Sequence, residues 1–136
     1  MRRRPLLRSL AAVPALLGAG CLERLDVVER GTVLRKVVLG ETGRPDARVT
    51  GPVAQWLLRD GEVRFDSNTD VSLPADGSAL TDGEWDALEG AHAPLDPRLT
   101  LCDSPDPTDR GCSGVAVSRE TFDGVRPGER AAVNSL

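Results

Sequence analysis

Short apolar runs separated by turn residues dominate the chain beyond residue 30. Residues 32–39 (TVLRKVVL) are rich in Val and Leu and predict a strand with apolar side chains on both faces. The Gly-, Pro- and Asp-rich residues 40–47 (GETGRPDA) predict a turn after it. Further short runs predict strands at 99–103, 114–118 and 130–133, and a shorter one at 71–73.

The strongest local signal is a β-hairpin centred on Asp60 and Gly61. This pair lies between two apolar runs, residues 53–59 and 62–66. An Asp-Gly pair suits a type I′ turn, because both central residues of that turn need a positive φ. Alternation along the two strands predicts a core-facing set of Trp56, Leu58, Val63 and Phe65.

One helix is expected, over residues 82–89. Thr81 and Glu84 have the spacing of a capping box, in which the Thr hydroxyl and the Glu carboxylate each bind a free backbone amide. Trp85 and Leu88 follow on one helix face, and Gly90 is a candidate for the end of the helix. We expect Trp85 to cover an open end of the sheet.

The strand spacing of about 8–15 residues predicts a mainly β fold, a small barrel or sandwich with one short helix. Residues 126–129 (RPGE) have the composition of a type II turn. The segment that contains them, residues 115–133, resembles the closing strand–turn–strand of small OB-like or SH3-like barrels. That resemblance covers only these 19 residues and implies a barrel without naming an activity.

Charge divides the chain into two unequal parts. The 136 residues have a net charge of −4, but four of the 17 basic residues lie in the first eight positions, so the part from Cys21 onward carries −8. This acidity argues against nucleic acid as a partner, since such proteins need a basic face. The scarcity of Lys and the surplus of Asp have two explanations that the sequence leaves open, a GC-rich genome or halophilic adaptation to high salt.

Residues 1–20 (MRRRPLLRSLAAVPALLGAG) have a basic start, a short apolar stretch and small residues at the end, which is the layout of an export signal peptide. The apolar stretch is too short to span a bilayer, and Pro14 interrupts it. Arg3 and Arg4, followed by Pro-Leu-Leu-Arg, resemble a twin-arginine signal. The resemblance implies export of the folded protein. A general export signal with a basic start is the alternative.

Residues 17–21 (LGAGC) resemble a lipobox, the site at which a lipoprotein precursor is lipidated on Cys and cleaved before it. The resemblance assigns lipidation to Cys21, with ordinary signal cleavage after the small residues as the alternative. We therefore expect an export signal over 1–20, a lipidated N-terminus and short lead over 21–31, and one β-rich domain over 32–136. The expected location is the outer, extracytoplasmic face of the cell membrane, where acyl chains hold the protein.

The remaining two cysteines predict a disulfide. Lipidation of Cys21 would leave Cys102 and Cys112, ten positions apart on either side of a loop. Exported compartments permit such a bond, and a loop of this size would be stabilised by about 2–3 kcal/mol. Two buried free thiols are the alternative.

Two acidic segments are candidates for a cation. Asp66, Asn68 and Asp70 place oxygen ligands at alternating positions, as in a calcium loop. However, Val71 and Gly77 stand where an EF-hand has Gly and Glu, so we favour a polar loop at a strand end. The loop between the cysteines carries a second set, Asp103, Asp106 and Asp109, but Pro105 and Pro107 are typical of an ordinary exposed loop.

No constellation of catalytic residues is visible. His92 is the only histidine, lies between two alanines and has no evident acid–base partner in the sequence. Nucleophile, phosphate-binding and dinucleotide motifs are missing, so we expect no cofactor, with Ca²⁺ at the Asp66, Asn68 and Asp70 oxygens as the alternative. The sequence therefore predicts a membrane-anchored lipoprotein that acts as a non-catalytic binding or structural module for a protein or cell-surface partner. The alternative is a cation-dependent ligand binder or small enzyme that uses the Asp-rich loops.

Overall fold

The structure is a computed structural model, and it describes residues 28–104 and 111–136. These residues form six strands and two short helices, so the mainly β fold class is confirmed. The elements are, in chain order, β1 Val28–Arg44, β2 Ala47–Arg59, β3 Glu62–Ser67, α1 Asp82–His92, β4 Asp96–Cys102, β5 Cys112–Ala116, α2 Arg119–Asp123 and β6 Arg130–Asn134.

All six strands belong to one antiparallel sheet with the order β3-β2-β1-β4-β5, and β6 pairs with the beginning of β1. Thr32 of β1 pairs with Cys102 of β4 on one edge and with Arg130 of β6 on the other. The amide of Leu136 then donates to the carbonyl of Ala116 at the end of β5 (2.9 Å). A ring of β1, β4, β5 and β6 therefore closes through this hydrogen bond, while β2 and β3 extend the sheet to one side.

The predicted hairpin is confirmed. β2 and β3 pair through Leu58↔Val63 and Trp56↔Phe65, and the turn residues Asp60 and Gly61 have φ values of 53° and 78°. Of the predicted core-facing set, Trp56 is fully buried, and Leu58, Val63 and Phe65 are half-buried.

The predicted turn over residues 40–47 is wrong in its extent. β1 continues to Arg44, and β2 begins at Ala47, so a two-stranded arm projects beyond the rest of the sheet. Gly43, with a φ of 100°, lies opposite Arg48 inside this arm. Pairing between the two strands satisfies the backbone groups that a Gly-rich segment exposes, which overrides its turn composition.

The predicted helix forms with its capping box, but it runs to His92 and does not end at Gly90. Its end precedes Pro94, and a residue before proline disfavours the helical conformation. A second helix, α2, was not predicted; Ser118 caps it by accepting from the amide of Thr121. The segment 71–73 is not a strand but part of an irregular connection between β3 and α1.

The core lies on the sheet face that carries α1, α2 and this connection. Cross-strand register aligns one row across the sheet: Phe65, Trp56, Lys36, Leu99 and Val115. All four aromatic residues of the chain meet above it, since Trp56 contacts Phe65 and Phe122, and Phe122 contacts Trp85, at centroid distances of 5.2–6.0 Å. The two tryptophans are thus core residues, as expected.

Candidate functional site

Lys36, the only lysine of the chain, lies at the centre of the core row and is 1% exposed. Its Nζ donates to the carbonyls of Gly77 (3.1 Å) and Val125 (2.9 Å) and lies 4.4 Å from the centroid of the Phe122 ring. Burial lowers the pKa of Lys36 from 10.5 to about 8, although Asp123 partly opposes the shift. The buried ammonium therefore binds two connecting segments, the one between β3 and α1 and the one between α2 and β6.

Three hydrogen bonds hold the connection between β3 and α1 against the core. Trp56 Nε1 donates to the carbonyl of Pro74 (2.7 Å), and Lys36 holds Gly77 three residues later. Three residues further, the amide of Leu80 donates to Asp123 Oδ1 (3.0 Å). The other oxygen of Asp123 accepts from the Trp85 indole (2.8 Å). The carboxylate of α2 thus binds both the connection and α1.

A cavity lies at the opposite end of this connection, where β3 ends beside the last turn of α1. It measures about 610 Å³ and is lined by residues 67–71 together with Ala91 and His92. An adjacent cavity of about 370 Å³ shares Ser67 and Asn68 with it. The two form one open, polar groove, which is the candidate functional site.

His92 has two hydrogen-bond partners in this groove. Its Nδ1 lies 2.8 Å from the carbonyl oxygen of Glu41, and its Nε2 lies 2.8 Å from Thr69 Oγ1. Neither partner could be identified from the sequence, since Glu41 and Thr69 are 51 and 23 residues away from His92. The ring therefore bridges β1, the loop after β3 and the end of α1.

A close approach of β1 holds the end of α1 in place. A Cβ at Gly40 would lie 2.8 Å from the carbonyl oxygen and 3.1 Å from the Cβ of His92. Both distances are too short for ordinary contact, so this position needs glycine. Arg48 adds a hydrogen bond from the arm to the carbonyl of Ala91 (3.3 Å).

The residues proposed for calcium surround the same groove. Asn68 and Asp70 line the larger cavity, Asp66 and Asn68 line the smaller one, and all three are exposed. Within residues 28–104 and 111–136, no three His, Cys, Asp or Glu side chains are grouped to hold a metal. Asp103 is exposed after β4, while Asp106 and Asp109 lie outside the described residues.

Cys102 and Cys112 form the predicted disulfide, with Cα atoms 4.0 Å apart. The bond joins paired positions of β4 and β5. Cys21, Arg3 and Arg4 lie outside the described residues, so lipidation and the export signal stay predictions. In the part of the chain that is described, no helix is long and apolar enough to cross a membrane.

The chain was compared with protein-family models, curated proteins and solved structures, and none of the three comparisons finds a match.

Proposed function

We propose that this protein is a membrane-anchored extracytoplasmic lipoprotein, held on the outer face of the cell membrane by acyl chains on Cys21. The observation that carries the proposal is the Cys that directly follows Leu-Gly-Ala-Gly at the end of a segment with the layout of an export signal. Two or more acyl chains anchor a protein stably, because each buried methylene contributes about 0.8 kcal/mol.

The disulfide supports export. Bonds of this kind persist in oxidising compartments and are rare in the cytosol. The chain has three cysteines, and the Cys102–Cys112 bond leaves Cys21 as the one available for a lipid. The cysteine count and the lipobox resemblance therefore support the same assignment.

A short distance between lipid and domain would follow. β1 begins at Val28, seven residues after Cys21. Seven extended residues reach at most about 25 Å. The domain would act near the membrane surface as a binding or structural module for a protein or cell-surface partner.

Metabolic labelling with an alkyne fatty acid, in a bacterial host that processes lipoproteins, tests the anchor. We expect label and membrane retention for the wild-type chain and neither for Cys21→Ser. The matched control is the double variant Cys102→Ser/Cys112→Ser, which keeps the lipid acceptor and should keep the label. Label that persists in Cys21→Ser, or its absence from an exported wild-type chain, overturns the proposal.

The export route has its own test. Replacing both Arg3 and Arg4 with Lys keeps the positive charge but removes the arginine pair. Retention of this variant in the cytoplasm supports the twin-arginine route, whereas normal export assigns the segment to the general route. Either result leaves the lipid assignment to be decided by the labelling experiment.

A further inference from the structure

The hydrogen bonds of His92 fix which nitrogen carries the proton. The carbonyl oxygen of Glu41 can only accept, so Nδ1 must donate to it. In the neutral ring Nε2 then has a free lone pair and accepts from the hydroxyl of Thr69. A ring nitrogen that accepts from a hydroxyl, on a ring held from its other side, is the arrangement in which a general base activates a nucleophile.

The hydrogen bonds of the Thr69 hydroxyl leave one of its lone pairs unused. Thr69 Oγ1 accepts one hydrogen bond, from the amide of Val71 (3.2 Å), and directs its own proton to His92. One lone pair is left. Both side chains are half-buried and line the cavity of about 610 Å³, which has room for a small molecule beside them.

We propose that Thr69 is a nucleophile and His92 its general base, and that the groove takes small esters. The fixed position of the His92 ring supports this role, because a general base must be held within hydrogen-bond reach of the proton that it abstracts. Gly40 beneath the end of α1 and the carbonyl of Glu41 fix that position. The proposed nucleophile lies within the first Asp-rich loop, but the reaction does not use the carboxylates of that loop and is independent of the lipid anchor.

The reaction proceeds in two balanced steps. Thr69 Oγ1 attacks the carbonyl carbon, its proton passes to Nε2, and the alcohol leaves with that proton as the ester C–O bond breaks. Water then attacks the acyl-threonine, gives a proton to Nε2, and releases the carboxylic acid as the proton returns to Oγ1. Asn68 lines the same cavity and carries a side-chain amide, a donor of the type that stabilises a developing oxyanion.

The charge of the lining residues favours neutral or cationic esters. Among the described residues, those lining the two cavities include Asp66 and Asp70 but no Arg or Lys. An anionic acyl group would meet these two carboxylates, although Arg48 lies beside the larger cavity through its bond to Ala91.

Labelling with diisopropyl fluorophosphate tests the nucleophile directly. The Oγ1–P bond forms, the P–F bond breaks, fluoride leaves and the proton passes to Nε2. The test uses the full chain with Cys21→Ser in every sample, which removes the one thiol outside the disulfide. The background is low because the chain has no tyrosine and its only lysine is buried.

We expect peptide mass spectrometry to locate the adduct on Thr69. His92→Gln should slow labelling by on the order of 10²–10⁴-fold, the usual contribution of a general base. Thr69→Ser should retain labelling, and Thr69→Val should lose it. Thr50→Val is the matched control and should label like the parent, since Thr50 Oγ1 donates to the carboxylate of Glu41 and not to an imidazole.

A purely structural role for the His92–Thr69 bond gives a different result. Folding of each variant is checked by the near-ultraviolet circular dichroism of the two tryptophans. A folded parent that stays unlabelled, or an adduct on Thr69 that forms equally fast in folded His92→Gln, overturns the proposal. If His92→Gln unfolds, the pH profile of the parent decides, because labelling must fall as the imidazole becomes protonated.

Discussion

Lys36 is enclosed in the core, whereas His92 lines an open groove, and this difference in surroundings suits the first residue to stability and the second to chemistry. Each is the only residue of its kind in the chain, and each joins segments distant in sequence. Lys36 is enclosed, with its donors directed to two carbonyls and its charge against the Phe122 ring. His92 is half-buried at the edge of an open groove and contacts a hydroxyl that retains a lone pair. A polar side chain that joins distant segments thus stabilises the fold when it is enclosed in the core, and it is available for chemistry when it lines an open groove.

The largest effect is expected for Lys36→Ala, measured by urea or guanidinium unfolding. It removes the donor for two carbonyls and leaves a cavity beside Trp56 and Leu99, so the free energy of unfolding should fall by about 3–5 kcal/mol. Lys36→Met keeps most of the volume and avoids burying a charge, so its cost should be smaller. Equal losses in the two variants would show that hydrogen bonding, and not packing, dominates at this position.

An intermediate effect is expected from pH. Burial lowers the pKa of Lys36 from 10.5 to about 8, so the unfolded chain binds more protons than the folded chain between these values. The free energy of unfolding should therefore rise with pH across this window, by at most about 1.4 kcal/mol per pH unit.

Few other groups obscure this measurement, because the chain has no tyrosine and no second lysine. Unfolding curves between pH 8 and 10 provide the check, with Lys36→Met as the control that should not show the rise. A fall in stability over the same range would mean that Lys36 is held in its charged form.

A smaller effect than either of these is expected for His92→Gln. Its two hydrogen bonds lie in a half-buried groove where water can replace them, so the cost should be about 0.5–1.5 kcal/mol in the same unfolding assay. Thr50→Val, at an exposed hydroxyl, should cost less still. If His92→Gln lowers the free energy of unfolding as much as Lys36→Ala does, the groove has a structural role, and the contrast between Lys36 and His92 does not hold.

Local signals in the sequence predicted local structure well. The Asp60-Gly61 turn and the Thr81–Glu84 capping box each depend on residues within a few positions of one another, and both form as predicted. The extent of β1 and β2 was missed because cross-strand pairing, and not composition, extends them through Gly- and Pro-containing residues. α2 was missed because five residues contain too little periodicity to predict a helix.

The contacts within the groove could not be predicted from the sequence, because they join residues that are far apart along the chain. Asp66, Asn68 and Asp70 marked its position, since a polar run after a strand predicts a loop. The partners of His92 come from β1 and from the loop after β3, and only the tertiary fold brings them together. Similarly, Lys36 lies within the predicted strand 32–39, but the carbonyls that accept from it belong to irregular segments without a sequence signature.

The burial of the only lysine has a practical consequence for proteolysis. A protease specific for lysine has a single cleavage site in the entire chain, in the middle of β1 and inaccessible while the domain is folded. Cleavage would therefore require opening of the core and would yield two fragments, of which the second consists of the 100 residues 37–136. The rate at which these two bands appear reports the population of the open state, without a label or an engineered site.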